Sequence, residues 1–275
     1  MKKYELTEET VTVHGKILHR IRAVCGFGSV KTGEFGGYIE KEENLSHFGN
    51  AWVSGNAKVF GNAKVFGDAE VSGNTKVFDN AEVSGNTKVF GNAKVFGDAK
   101  VSGNACVYGD ARVSSNAKVF GDAWVCGNTR VYGDARVCDD ARVSGDAGVS
   151  GNAKVSGNAE VSGDARVYGD ACVYSNAKVF GNAKVSGNAE VSSNAEVSNM
   201  RHFFVQGPIG SRDGFVTFYR TKDDTVGVRC GCFSGSLQEF VDKVEQTHGG
   251  SRYEKEYKLA AELAKVCIRL EGESR

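Results

Sequence analysis

A valine recurs at every sixth position from Val53 to Val197, 25 times without a gap. From Val59 onward the residue two places earlier is Ala or Thr, as at Ala57, Ala63 and Thr75. Alternate residues of an extended segment point to one side. Each Ala or Thr therefore pairs with its Val on an inner face, and the residues flanking that Val face outward. Between units lies a couplet such as Gly61-Asn62 or Gly67-Asp68. Glycine accepts positive φ without strain, and Asn and Asp tolerate it better than most residues. The pattern predicts a very short strand followed by a corner, repeated. A helix is excluded, because its apolar period is 3.6 and a poor helix former stands in nearly every hexad. One buried valine contributes about 1.5–3 kcal/mol. Ordering six residues costs about 6–12 kcal/mol in backbone entropy. No unit is stable alone, so units must stack, sharing backbone hydrogen bonds and piling valine on valine.

The pairing of an aliphatic residue with a small one four places later, Val65 with Ala69 and Val71 with Thr75, resembles the hexapeptide repeat of left-handed parallel β-helices. The resemblance implies three hexads per triangular turn. The expected fold is mainly β: a left-handed parallel β-helix with an N-terminal cap and a small C-terminal α+β domain. Residues 1–50 form the cap, 51–199 the solenoid, and 200–275 a binding or dimerisation domain.

Within the cap, strands are expected at 10–14 and 16–24, meeting near Gly15, with turns at 26–28 and at Gly36-Gly37. Ile39 and Leu45 are six apart, which extends the repeat spacing upstream of Val53. An open solenoid end is an unpaired sheet edge, so a cap is needed. Past Ser198 the hexads stop, and strands are expected at 202–206, 214–220 and 225–230, with turns at 207–213 and 222–224. Ser236 with Glu239 and Ser251 with Glu254 are capping boxes opening two helices, the first stopped by Gly249-Gly250.

The leader segments Arg20-Ile21-Arg22-Ala23, Gly36-Gly37-Tyr38-Ile39 and Asn44-Leu45-Ser46 resemble bacterial and prophage hexapeptide-repeat proteins, some labelled transferase-like by fold analogy. Gly207-Pro208-Ile209-Gly210-Ser211-Arg212 and Arg229-Cys230-Gly231-Cys232-Phe233-Ser234 resemble a C-terminal module of phage proteins, which brings no activity with it.

Charge narrows the classes. Residues 1–52 carry 7 basic and 7 acidic side chains, 53–198 carry 15 and 16, and 199–275 carry 12 and 11. No polybasic tail, acidic run or membrane-length apolar stretch exists, and the first residues lack the apolar core of a signal peptide. Four of the eight cysteines stand singly in the repeat, which points to a reduced chain in the cytoplasm, the host's if it is phage-encoded. Acyltransferases with the resembling fold use a catalytic histidine, and related carbonic anhydrases hold zinc with three. Here His14, His19, His47, His202 and His248 all lie outside the hexads. No catalytic residue, metal or cofactor is therefore expected.

With 18 residues per turn, one face collects Lys58, Lys76, Lys94, Arg112, Arg130, Arg166 and Lys184 beside Phe60, Phe78, Phe96, Tyr132 and Tyr168. Cations hold phosphates and rings stack on bases, so this face is a candidate platform for anions or nucleic acid. Duplication alone gives much of the pattern, since 15 of 24 outward positions are basic, and turn aspartates such as Asp98, Asp110, Asp134 and Asp170 are available to neutralise it. The rings also suit coil stacking or an oligomer seam, and the seam is favoured because aromatics in water are more often buried by a partner chain. In the C-terminal domain Gly207, Gly210, Ser211 and Arg212, with Arg229, Cys230 and Cys232, form a second candidate, against the plainer reading of hairpin turns. The expected function is a non-enzymatic interaction protein that forms a dimer or trimer and binds a bacterial protein. Its sharpest form is a phage inhibitor of a defence system that occludes a protein or sequesters a nucleotide signal. The alternatives are a nucleic-acid or anion-binding rod, a divergent hexapeptide acyltransferase, and a structural spacer.

Overall fold

A computed structural model describes residues 2–271. Its contacts group into two compact units, Met1–Asp146 and Ala147–Arg275.

In the first unit, β1 (Tyr4–Val13) and β2 (Lys16–Ala23) form an antiparallel hairpin. His14 and Gly15 at its tip both have positive φ, 50° and 78°, the type I′ geometry whose twist suits a two-residue turn. β1 starts well before residue 10, where the sequence pattern had placed it. The stretch Glu5 to Glu9 lacks apolar alternation, but it pairs across the hairpin: Glu9 with Arg20 at 3.0 Å, and Glu5 with Arg22. β3 (Phe35–Ile39) joins the repeat in parallel, Tyr38 opposite Lys58 and Ile39 opposite Val59, and Leu45 bridges Val65. Stacking thus begins upstream of Val53, as the Ile39–Leu45 spacing suggested. Gly36-Gly37 is not a turn. Both residues lie inside β3, and a Cβ on Gly36 would meet Ile21 at 2.5 Å, the Val53 carbonyl at 2.6 Å and Trp52 at 2.7 Å.

Every hexad supplies a two-residue strand. The register is 18 residues, three hexads per turn: Val59 opposite Val77, then Val95, Val113 and Val131. The valines and their Ala or Thr partners are fully buried. Each hexad donates up to three backbone hydrogen bonds to the next turn, for example Asn74 to Gly91, Lys76 to Ala93 and Phe78 to Val95, at 2.7–3.1 Å. The corners add side-chain ladders: Asn56 Nδ2 donates to Asn74 Oδ1 at 3.3 Å, and Asn74 to Asn92 at 3.1 Å.

The second unit has an 18-residue register of its own, Val149 opposite Val167 and Val167 opposite Val185. Strands Phe203–Ile209, Gly214–Arg220, Val226–Cys230 and Phe233–Ser236 then form an antiparallel sheet in chain order. The first strand runs through Gly207 to Ile209, which shortens the expected turn to 210–213. The fourth, Phe-Ser-Gly-Ser, was not predicted, because four residues rich in Gly and Ser carry a turn signature. Helices α1 (Leu237–His248) and α2 (Arg252–Cys267) bury Phe240, Val244, Tyr257, Ala261 and Ala264 against Val216, Phe218 and Val228. Ser236 and Glu239 form the full reciprocal box. Ser251 accepts from Glu254 N–H, but Glu254 answers to Gly250 N–H instead. The strand Gly214–Arg220 lies against the last turn of the repeat. Glu190 N–H donates to Thr217 Oγ1 at 2.9 Å, Lys222 N–H donates to the Asn194 carbonyl at 2.9 Å, and Ala195 bridges Thr221. These bonds occupy backbone groups that an open sheet edge would expose.

Candidate binding surfaces

The outward position before each valine is where a solenoid displays chemistry, because strand pairing fixes its spacing at about 4.8 Å per turn. In the first unit Lys58, Lys76, Lys94, Arg112 and Arg130 stand opposite one another in unbroken register. In the second, Gly148, Arg166 and Lys184 do the same. Like charges in such a ladder repel unless compensated. Three turn aspartates are held by neutral amides of the preceding turn and make no ion pair with these cations. Asp98 Oδ1 accepts from Asn80, Asp134 from Asn116 and Asp170 from Asn152, at 2.9–3.0 Å. Among the described residues none of these seven cations forms an ion pair. On a neighbouring face, by contrast, Lys100 pairs with Glu82 at 3.1 Å.

The rings beside the column behave differently from a base-stacking platform. Phe60, Phe78 and Phe96 stack on each other, centroids 5.1 and 5.0 Å apart and planes within 4°. Phe60 is only 4 % exposed, packed with Leu18 and Tyr38 beneath the hairpin, so it belongs to the cap's core and not to a surface. Tyr132 is 47 % exposed, and Tyr168 in the second unit is also exposed.

Of the C-terminal candidates, Ser211, Arg212, Cys230 and Cys232 line one cavity of about 810 Å³. The others serve the frame. Gly210 N–H donates to Glu256 at 2.7 Å, and a Cβ there would overlap the Tyr257 hydroxyl. A Cβ on Gly207 would meet Phe215 at 2.5 Å. Arg229 holds Glu190 at 3.1 Å and lies 5.7 Å over the Tyr174 ring. Gly231-Cys232 is a hairpin turn, Cys230 opposite Phe233, with Gly231 at φ 55°, as type II′ requires. Burial pushes the Cys230 thiol above its ordinary value, and burial with the neighbouring Cys230 pushes Tyr257 up to about 12. Sequence reasoning missed Lys243, His248, Phe233 and Phe240 in the same cavity. They read as one amphipathic helix and a turn, and nothing local in the sequence marks them as a lining.

The histidines are dispersed. His19 meets the Thr7 carbonyl at 3.1 Å, His47 stacks on Tyr4 at 4.3 Å, and His202 is buried among Ser198 and Asn199. Among the described residues no group of three His, Cys, Asp or Glu side chains converges as a metal site would. Among the described residues no helix is long and apolar enough to cross a membrane.

A family described as YdcK beta solenoid repeat matches residues 135–151. The chain is a β-solenoid protein. The matched hexads, around Val137, Val143 and Val149, are ordinary members of the repeat, so the similarity speaks for the solenoid and for nothing outside it. A search of curated proteins found no match.

Proposed function

We propose that this solenoid is a non-enzymatic binding protein whose basic face receives an acidic protein partner. The observation that carries the reading is the column Lys58, Lys76, Lys94, Arg112 and Arg130, in register and, among the described residues, in no ion pair. A charge ladder left uncompensated costs stability, and a complementary partner removes that cost. A rigid sheet also loses little entropy on docking. Single-stranded nucleic acid suits the face less well, because Phe78 is sandwiched between Phe60 and Phe96 and offers no free ring face.

The test is capture from a bacterial lysate on the immobilised protein. Partner retention should fall with salt and vanish for Arg112→Glu/Arg130→Glu. Equal capture by that variant sinks the reading. Salt-sensitive binding of a labelled single-stranded oligonucleotide, lost in the same variant, would replace the protein partner by nucleic acid.

Self-association belongs to the same proposal. On α2, Leu259, Leu263 and Val266 follow helical spacing and are exposed, 71 % and 81 % at the first and last, an apolar stripe suited to a second copy. The narrower reading is a phage inhibitor acting in the host cytoplasm, occluding a defence protein or holding its nucleotide signal. It rests on the likeness of the leader and C-terminal module to prophage proteins. Restored phage plating on a defended strain that expresses this chain would support it. The competing class, a divergent acyltransferase, requires acetyl-coenzyme A turnover that depends on one of the five histidines.

A further inference from the structure

The cavity of about 810 Å³ in the second unit lies within the range of small-molecule sites. Its floor is made of rings and aliphatic groups: Phe240, Val244 and Tyr257 are buried there, and Phe215 and Phe233 form its walls. Two cations stand at the lining, Arg212 from the loop after the first C-terminal strand and Lys243 from α1. Arg212 has no hydrogen bond or ion pair among the described residues, and Lys243 Nζ donates only to Gln246 Oε1, at 2.9 Å. The one carboxylate in the lining, Glu190, is already engaged by Arg229 at 3.1 Å and the Tyr174 hydroxyl at 3.3 Å. Burial holds the Cys230 thiol protonated at neutral pH, so the floor stays uncharged.

We propose that this cavity binds a small organic anion, an aromatic body carrying a single carboxylate, phosphate or sulfonate group that meets Arg212 and Lys243. A neutral ligand would engage neither cation at the cavity edge, and an inorganic anion would leave the rings wet. The aromatic body fills the floor by burying apolar surface, and the anionic head takes the charge-assisted bonds. The site is independent of the basic face of the solenoid, since none of that column's residues lines it.

Two dyes of similar shape test the assignment on the full chain: anilinonaphthalene sulfonate, an anion, and N-phenylnaphthylamine, its neutral counterpart. Wild type should bind both saturably, with enhanced fluorescence. Arg212→Glu/Lys243→Glu should weaken the sulfonate about tenfold and the neutral dye by less than about twofold. Val244→Trp, which fills the floor, should abolish both. Absence of saturable sulfonate binding by wild type overturns the proposal, as does equal weakening of the two dyes by the charge reversals. If Val244→Trp fails to fold by circular dichroism, the charge-reversal pair still decides, because both side chains are exposed.

Discussion

Gly36→Ala and Gly148→Ala are the same chemical change and should shift stability in opposite directions. Gly36 lies in β3 at the start of stacking, and its added methyl would sit 2.5 Å from Ile21 Cγ1, 2.6 Å from the Val53 carbonyl and 2.7 Å from Trp52 Cζ2. All three distances are well inside van der Waals contact, and one neighbour is backbone. Overpacking of this kind costs about 1–3 kcal/mol or more. Alanine's smaller unfolded-state entropy returns about 0.4–1 kcal/mol. With three contacts to relieve, the net loss should be about 2 kcal/mol. At Gly148 the nearest atom to a new methyl is Arg166 Cγ at 3.9 Å, and φ is not positive. Only the entropy term remains, so Gly148→Ala should stabilise by about 0.5–1 kcal/mol. Urea unfolding followed by circular dichroism reads both, through the midpoint at unchanged slope. A Gly36→Ala protein as stable as wild type would refute the view that β3 is glycine-bearing because it is pressed against the first repeat turn.

Other outcomes follow from single buried groups. Lys3 is buried, with Nζ donating to the Ala51 and Gly49 carbonyls at 2.7 and 3.3 Å, and burial pulls its pKa down to about 8. An unfolded lysine keeps its ordinary 10.5, so the unfolded chain binds more protons between these values and stability should rise across that window. Below pH 8 the penalty is complete and constant. Lys3→Met should remove the slope in urea midpoints measured through alkaline pH. The Thr129 hydroxyl is buried with no hydrogen-bond partner among the described residues, whereas Thr75 Oγ1 donates to the Ser72 carbonyl at 2.7 Å. Thr129→Val should therefore stabilise by about 1 kcal/mol and Thr75→Val destabilise by a similar amount, read by thermal melts. Light scattering should report a smaller particle for Leu259→Lys/Leu263→Lys; an unchanged mass removes α2 as the self-association face.

The valine period was enough to read the repeat, and Ile39 with Leu45 was enough to find its true beginning, because inward residues and register are set by local spacing. Capping serines located both helices for the same reason. What escaped depends on residues far apart in the chain. Phe60 looks like its siblings Phe78 and Phe96, and only Leu18 and Tyr38, drawn over it by the hairpin, make it core. The Gly36-Gly37 pair reads as a turn until Ile21 and Trp52 are seen against it. The basic column was visible, but whether turn aspartates bond to it directly was not. At Asp98, Asp134 and Asp170 that depended on Asn80, Asn116 and Asn152, whose amides engage the carboxylates one turn later. The cavity joins the last repeat turn to a loop, a hairpin and two helices, and no sequence period links them.

The constant 18-residue offset makes length an inheritable variable that is nearly separate from surface. Excising or duplicating the 18 residues 76–93 would keep valine on valine at the core and lysine on lysine in the basic column, Lys58 meeting Lys94 in the shorter form, so variants one turn longer or shorter should fold and keep that column aligned. Losing six or twelve residues would instead swing everything downstream by one or two sides of the triangle, setting cations against glutamates and breaking the column. Gene copies that differ by whole turns are therefore the ones this architecture lets survive.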